Sequence, residues 1–196
     1  IVIIIKKYNF YTTLLQLLYN FTTTFMKTQQ DRQTLKVLYS MMYAESKRKY
    51  PTHPLEPKPF NIEKTSQLEA AIEKLFKLYG YNSVRRTHVQ GRKLGSDTVT
   101  YNCITGKRQT IDRAKFIPTT GRKGEADIHG NVTLKDGTRV SLAIEVKNQY
   151  TYDRVRPEQI KYKNDFEADG GMYIILHSIT EAMQWVDENL FKKVNY

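Results

Sequence analysis

The stretch ADIHGNVTLKDGTRVSLAIEVK, residues 126–147, decides the fold. It opens on Asp127, after a Gly-rich basic loop, and closes on Glu145-Val146-Lys147. Between them, Asp136-Gly137 signals a two-residue hairpin, because Asp and Gly tolerate the positive φ that tight strand connections need. The alternation that follows predicts a strand with Leu142, Ile144 and Val146 on one face and Ala143, Glu145 and Lys147 on the other. Residues two apart on a strand stand about 6–7 Å apart, so a carboxylate and an ammonium are neighbours. Taken alone, an amphipathic edge strand often carries such a pair on its wet face.

Asp127 changes the balance. One strand and one hairpin separate it from Glu145, a path short enough to bring both carboxylates to one sheet edge. Two converging hard oxygen donors suit Mg²⁺ or Mn²⁺, which prefer carboxylate, carbonyl and water. An aspartate at a strand start is otherwise a turn cap. Further along, RPEQIKYKNDFEADGG predicts a helix with Pro157 in its first turn and Gly170-Gly171 at its end. Gln159 shares one helical face with Tyr162 and Phe166. An amide on such a face either caps a backbone group or reaches into a site. MYIILHS then reads as a short buried strand, and TEAMQWVDENLF as a closing helix packed by Met183, Trp185, Val186 and Leu190.

Upstream, TSQLEAAIEKLFKLYGY predicts a helix capped by Thr65 or Ser66, with Leu68, Ile72, Leu75 and Phe76 as its apolar stripe and Gly80 as its stop. Residues 82–124 read as a long β-rich loop or hairpins, with ten Lys or Arg against Asp97 and Asp112. The order helix, strands, helix, strand, helix predicts an α/β fold, a mixed sheet flanked by helices. Pro51, Pro54, Pro57 and Pro59 mark an extended linker, which puts a domain boundary near Phe60. Before it, Leu35, Leu38 and Met42 keep helical spacing.

Residues 1–25 hold no acid and are too polar, through Asn9, Thr12, Thr13, Gln16, Asn20 and Thr22–Thr24, to cross a membrane. They are expected to be an extension ahead of a natural start at Met26. The expected organisation is therefore residues 1–25 as an extension that need not be native, 26–60 as a helical arm with the Pro-rich linker, and 61–196 as one domain. The net charge of +11 implies a polyanionic partner, most often nucleic acid. A single cysteine, Cys103, excludes a disulfide framework and a multi-cysteine zinc site, and fits a reducing, cytoplasmic setting. His129 stands two residues after Asp127, but His53, His88 and His177 are too scattered to complete a zinc or HNH-type site.

The ordered set GEADIHG, AIEVK, RPEQ and DGGMYIILHS resembles the VRR-NUC branch of the PD-(D/E)XK nuclease superfamily, over roughly residues 66–190. It is especially similar to small stand-alone members common in bacteriophages. The resemblance implies a restriction-endonuclease-like fold and Mg²⁺-dependent DNA endonuclease activity, with Mn²⁺ as a substitute. It further implies that Asp127, Glu145 and the Val146 carbonyl hold the ion and that Lys147 orients or helps deprotonate the attacking water. Gln159 would position Lys147 or that water. A helical glutamate completes the site in many members; Glu69 is the implied counterpart, with Glu73 as its rival. Ala126 departs from the family's usual Pro.

The basic stretch is expected to follow the DNA backbone through Arg85, Arg86, Arg92, Lys93, Lys107, Arg108, Lys115, Arg122 and Lys123. Tyr101 either stacks on a base or packs the hairpin. A non-catalytic nucleic-acid-binding module on the same fold is the rival reading. A homodimeric, structure-specific resolvase is a narrower form of the first. No membrane association is expected.

Overall fold

The computed structural model describes residues 28–87, 92–94, 98–101, 104–106, 108–111, 115–117, 123–151 and 153–191. The expected extension at 1–25 lies outside them, as do Lys107, Arg122, Cys103 and His88.

The chain begins, within the described residues, as helix α1 (28–49). Its spacing puts Leu35 and Leu38 into the core and Met42 against it. The proline segment that follows forms neither helix nor strand over residues 54–60. It is nevertheless pinned. Tyr39 of α1 stacks on Phe60 with ring centroids 6.2 Å apart, and its hydroxyl accepts the Phe60 N–H at 2.6 Å. The arm therefore lies on the same core as the helices Thr65–Leu78 and Ile179–Asn189 and a four-stranded sheet.

Helix α2 (Thr65–Leu78) buries Leu68, Ala71, Ile72, Leu75 and Phe76. Its N-cap is Lys64, without a side-chain bond, and not Thr65 or Ser66 as the sequence suggests. The cause is the turn before it: Asn61 accepts the Glu63 N–H with Oδ1 at 3.2 Å and the Lys64 N–H with its carbonyl at 3.1 Å. That turn sets the entry of the chain one residue early. The helix ends as expected at Gly80, whose φ of +90° lets Tyr81 N–H reach back to the Phe76 carbonyl at 3.0 Å.

Strands β1 (Arg85–Arg86), β2 (Arg92–Leu94), β3 (Thr98–Tyr101), β4 (Arg108–Ile111), β5 (Lys115–Ile117), β6 (Ile128–Thr133) and β7 (Arg139–Val146) follow. Then come α3 (Pro157–Ala168), β8 (Met172–Leu176) and α4 (Ile179–Asn189). The sheet is four-stranded, in the order β1-β6-β7-β8. β1, β6 and β7 are antiparallel, and β8 runs parallel to β7 with Glu145 opposite Ile175. This is the mixed sheet flanked by helices that the sequence predicts.

The β6–β7 connection differs in detail. Leu134 N–H bonds to the Thr138 carbonyl at 2.8 Å, so the loop spans Lys135, Asp136 and Gly137, three residues instead of two. Gly137 takes a φ of +89°, and Asp136 Oδ1 accepts the Thr138 N–H at 2.8 Å. That aspartate bond favours a turn followed by a left-handed glycine over the two-residue form.

Two layers of helix cover the sheet. Leu142, Ile144 and Val146 join the cluster built by α1, α2 and α4, where Phe76 meets Trp185 at 6.0 Å. Ala126, Ala143 and Tyr173 face α3, packed by Tyr162 and Phe166, which stack at 5.9 Å. Gly171 is required here, because a Cβ would stand 2.3 Å from the Phe166 ring. No helix of the described residues is long and apolar enough to cross a membrane.

Candidate active site

β7 is an inner strand covered on both sides, so its charged face is not wet. The edge-strand reading of Glu145 and Lys147 fails on this point. Glu145 is 1 % exposed and Lys147 4 %. Taking either ion out of water costs several kcal/mol, so each must be compensated within the fold. Lys147 Nζ lies 2.9 Å from Glu145 Oε1 and 3.1 Å from Asp153 Oδ2. Gln159 donates its side-chain amide to Glu145 Oε1, and Tyr173 donates its hydroxyl to Oε2 at 3.3 Å. Donors from the residue after β7, from α3 and from β8 thus converge on one carboxylate.

Gln159 performs both roles that its position left open. Its Nε2 enters the site, while its Oε1 accepts the Arg156 N–H at 2.9 Å and caps α3. Its partner in the site is the glutamate and not Lys147. The approach of α3 is fixed by Gly124, whose φ is +81° and whose Cβ would stand 2.4 Å from the Glu158 carbonyl oxygen.

Asp127 sits just before β6. Its Oδ2 accepts the Val146 N–H at 2.9 Å, which brings the carboxylate beside the end of β7. The convergence is therefore at a strand end inside the sheet, not at a sheet edge. Ala126 is fully buried against Ala143 and Tyr173, so the small residue before Asp127 has a packing reason. The Val146 side chain joins the opposite core, and its main chain is the part that faces Asp127.

α2 supplies the third acid. Burial first, then the Asp127 carboxylate, push Glu69 up to about 7; Arg86 opposes this and Glu145 adds to it. Glu73 points elsewhere: it pairs with Lys77 at 2.6 Å and Arg86 at 2.8 Å. Burial works against its charge, yet those two cations hold its pKa below the usual carboxylate value. Of the two helical glutamates, Glu69 is the one the site feels.

The electrostatics of the group are consistent. Burial and then Asp127 push Glu145 up. Burial also raises Asp127, against the pull of the Val146 N–H and Lys147. Burial disfavours the Lys147 ammonium, but Glu145 and Asp153 more than offset it, and its pKa is raised. Carboxylates in excess of the cations beside them suit a hard divalent ion by donor chemistry. Among the described residues, however, no three His, Cys, Asp or Glu side chains stand grouped as ligands of one ion. Glu145 is turned toward Lys147, Gln159 and Tyr173 instead.

Sequence reasoning missed Asp153 and Tyr173. Asp153 lies in a loop with no pattern to mark it. Tyr173 meets Glu145 only because β8 pairs parallel to β7 in one particular register. His129 Nε2 lies 2.8 Å from the Tyr162 hydroxyl, on the α3 side of the sheet, and its Nδ1 is buried without a partner.

The basic set divides. Arg85 is exposed on β1, but Arg86 is committed to Glu73 and to the Ser66 carbonyl at 3.3 Å. Arg108 is exposed, and Lys123 is exposed with a loose 3.7 Å contact to Glu158. Arg92, Lys93 and Lys115 belong to β2 and β5. Tyr101 is 69 % exposed. Neither family models, nor curated proteins, nor solved structures give a match to this chain.

Proposed function

We propose that this chain is a Mg²⁺-dependent endonuclease that hydrolyses DNA phosphodiester bonds. The observation that carries the reading is the buried Glu145–Lys147 pair, held by Gln159 beside Asp127 and within the field of Glu69. These are the residue types that the VRR-NUC resemblance implies, and distant parts of the chain bring them together. Asp127, Glu145, the Val146 carbonyl and Glu69 would hold the ion. When bound, a divalent ion polarises the scissile phosphate and lowers the pKa of water.

The chain's own residues do the rest. Lys147, held between two carboxylates, stays an ammonium at neutral pH. Its role is then to stabilise the charge that develops on the phosphate, not to remove a proton from water. Gln159 and Tyr173 fix the orientation of Glu145, and Asp153 holds the ammonium from the solvent side. The basic residues of 85–123 would neutralise phosphates, so affinity would fall steeply with salt.

The decisive experiment incubates the chain with duplex, branched and single-stranded DNA in Mg²⁺ or Mn²⁺. Cleavage lost on Glu145→Ala and on Lys147→Ala supports the reading; cleavage unchanged in both refutes it. One observation favours a second reading, a non-catalytic nucleic-acid-binding module: among the described residues no three His, Cys, Asp or Glu side chains are grouped as ligands. Salt-sensitive DNA binding with no Mn²⁺ uptake in calorimetry would select that reading.

A further inference from the structure

Helix α1 closes one side on the core and leaves the other in water. By the helical repeat, Arg32, Lys36, Tyr43 and Lys47 fall within about 60° of arc, and all four are exposed. The acids of α1 do not balance this strip. Asp31 is 1 % exposed and accepts bonds from Gln149, Tyr150 and Thr180. Glu45 pairs with Lys49 at 3.0 Å and with Lys74 at 2.6 Å. The positions three and four residues from each cation of the strip, where a helical acid would pair with it, hold no Asp or Glu. Arg32 and Lys36, one turn apart, repel each other instead. An anion from outside the chain would relieve that repulsion.

The strip runs about 22 Å from Arg32 to Lys47 at the rise of an α-helix. One strand of a DNA duplex sets about six phosphates along that length. An anionic membrane fits less well, because an interfacial helix inserts an apolar face, and that of α1, through Leu35, Leu38 and Met42, is closed on the core. An acidic protein also fits less well, because protein interfaces are depleted of lysine and centre on apolar side chains. The strip starts beside the candidate site: Asp31, the neighbour of Arg32, holds Gln149 of the loop after Lys147 at 2.7 Å.

We propose that the outer face of α1 is a further nucleic-acid contact, in which Arg32, Lys36 and Lys47 neutralise phosphates of a duplex and the Tyr43 hydroxyl donates to one. The bound duplex then runs along the arm, ahead of the 66–190 span that carries the nuclease motifs. Phosphate contacts of this kind add affinity and fix orientation without reading sequence. The inference rests on the DNA-binding part of the reading above and not on cleavage.

The test follows the fluorescence anisotropy of a labelled duplex with the full chain in EDTA, over a salt series. Arg32→Gln, Lys36→Gln and Lys47→Gln combined should reduce the slope of log affinity against log salt by about 2–3, and weaken binding at low salt on the order of 10²-fold. Lys135→Gln, Arg139→Gln and Lys161→Gln combined remove the same charge from exposed positions on the β6–β7 hairpin and α3, and should change the slope by less than about one. Arg32→Lys, Lys36→Arg and Lys47→Arg combined keep the charge and should keep the wild-type slope. Both α1 variants should keep the thermal midpoint, since the changed side chains are exposed and Gln, Lys and Arg form helix about equally well.

A wild-type chain that binds no duplex overturns the inference. So does an α1 Gln variant that keeps the wild-type slope, or a hairpin and α3 variant that loses as much. Binding to phosphatidylserine vesicles that depends on the strip, with the duplex slope unchanged, overturns it in favour of a membrane. If the slope falls as expected but Mg²⁺ brings no cleavage, the α1 contact stands and the nuclease reading alone falls.

Discussion

Replacing Lys147 by Met removes the ammonium that compensates Glu145 while keeping about the volume of the side chain. Glu145 is then a carboxylate at 1 % exposure, with the charges of Asp127 and Glu69 nearby. Breaking one partner out of a buried ion pair costs about 3–5 kcal/mol. For a chain of this size, each kcal/mol shifts the melting midpoint by about 2–4 °C, so Lys147→Met should melt roughly 6–20 °C below wild type at pH 8.

The sign of the pH dependence follows from Glu145. Its folded-state pKa is already raised above 4.5, first by burial and then by Asp127. Loss of Lys147 raises it further. An acid with a raised folded-state pKa binds its proton more tightly in the folded protein, so stability is lost as pH rises through that pKa. The deficit of Lys147→Met should therefore be largest at pH 8 and shrink toward pH 5. Adding Glu145→Gln should recover most of it, because no lone buried charge remains. Thermal denaturation monitored by circular dichroism from pH 5 to 8 reads all three effects. A variant as stable as wild type at pH 8, or a deficit that grows on acidification, would refute the account of the buried pair.

Glu69 should make wild-type stability fall as pH rises through about 7, and Glu69→Gln should flatten that slope in the same melting series. Gly124→Ala places a Cβ 2.4 Å from the Glu158 carbonyl oxygen at a φ of +81°; strain of this kind costs of order 1–3 kcal/mol, and hydrogen exchange should show looser protection across α3. Leu38→Ala removes a fully buried side chain, and a loss of about 2–5 kcal/mol in urea unfolding is expected, in one transition because α1 shares the core. On the proposed nuclease reading, Asp127→Asn should reduce DNA cleavage on the order of 10²-fold or more, measured under single-turnover conditions.

The elements were legible where local physics sets them. The alternation of LAIEVK placed Glu145 and Lys147 on one face, and Pro157 and Gly170 bracketed α3, because pleat, ring constraint and positive φ act within a few residues. Gln159 was legible as an amide on an apolar face, though not its partner. The start of α2 was misread because Asn61, three residues before Lys64, builds the turn that precedes the helix. The two-residue hairpin was misread because one Asp136 side-chain bond selects a longer loop. Both errors come from side-chain bonds that compete with the backbone and leave no periodic trace.

What lay beyond local reading is whatever depends on the partner strand or on distant chain. Asp31, fully buried on α1, accepts bonds from Gln149, Tyr150 and Thr180. Asn148 donates to the carbonyls of Ile62 and Glu63. The loop after Lys147 is thereby clamped by residues more than 80 positions earlier in the chain. No spacing rule reports such a clamp, because its bonds exist only after the core has closed.

The sequence by itself determined which residue types stand on which face of which element, and so which carboxylates, ammonium and amide were available to meet. Only the tertiary structure decided that β7 lies inside the sheet, that Glu73 is taken by Lys77 and Arg86, and that Asp153 and Tyr173 meet the Glu145–Lys147 pair. The reason is that face and periodicity arise from the local backbone, whereas burial and pairing arise from which surfaces the closed core excludes from water.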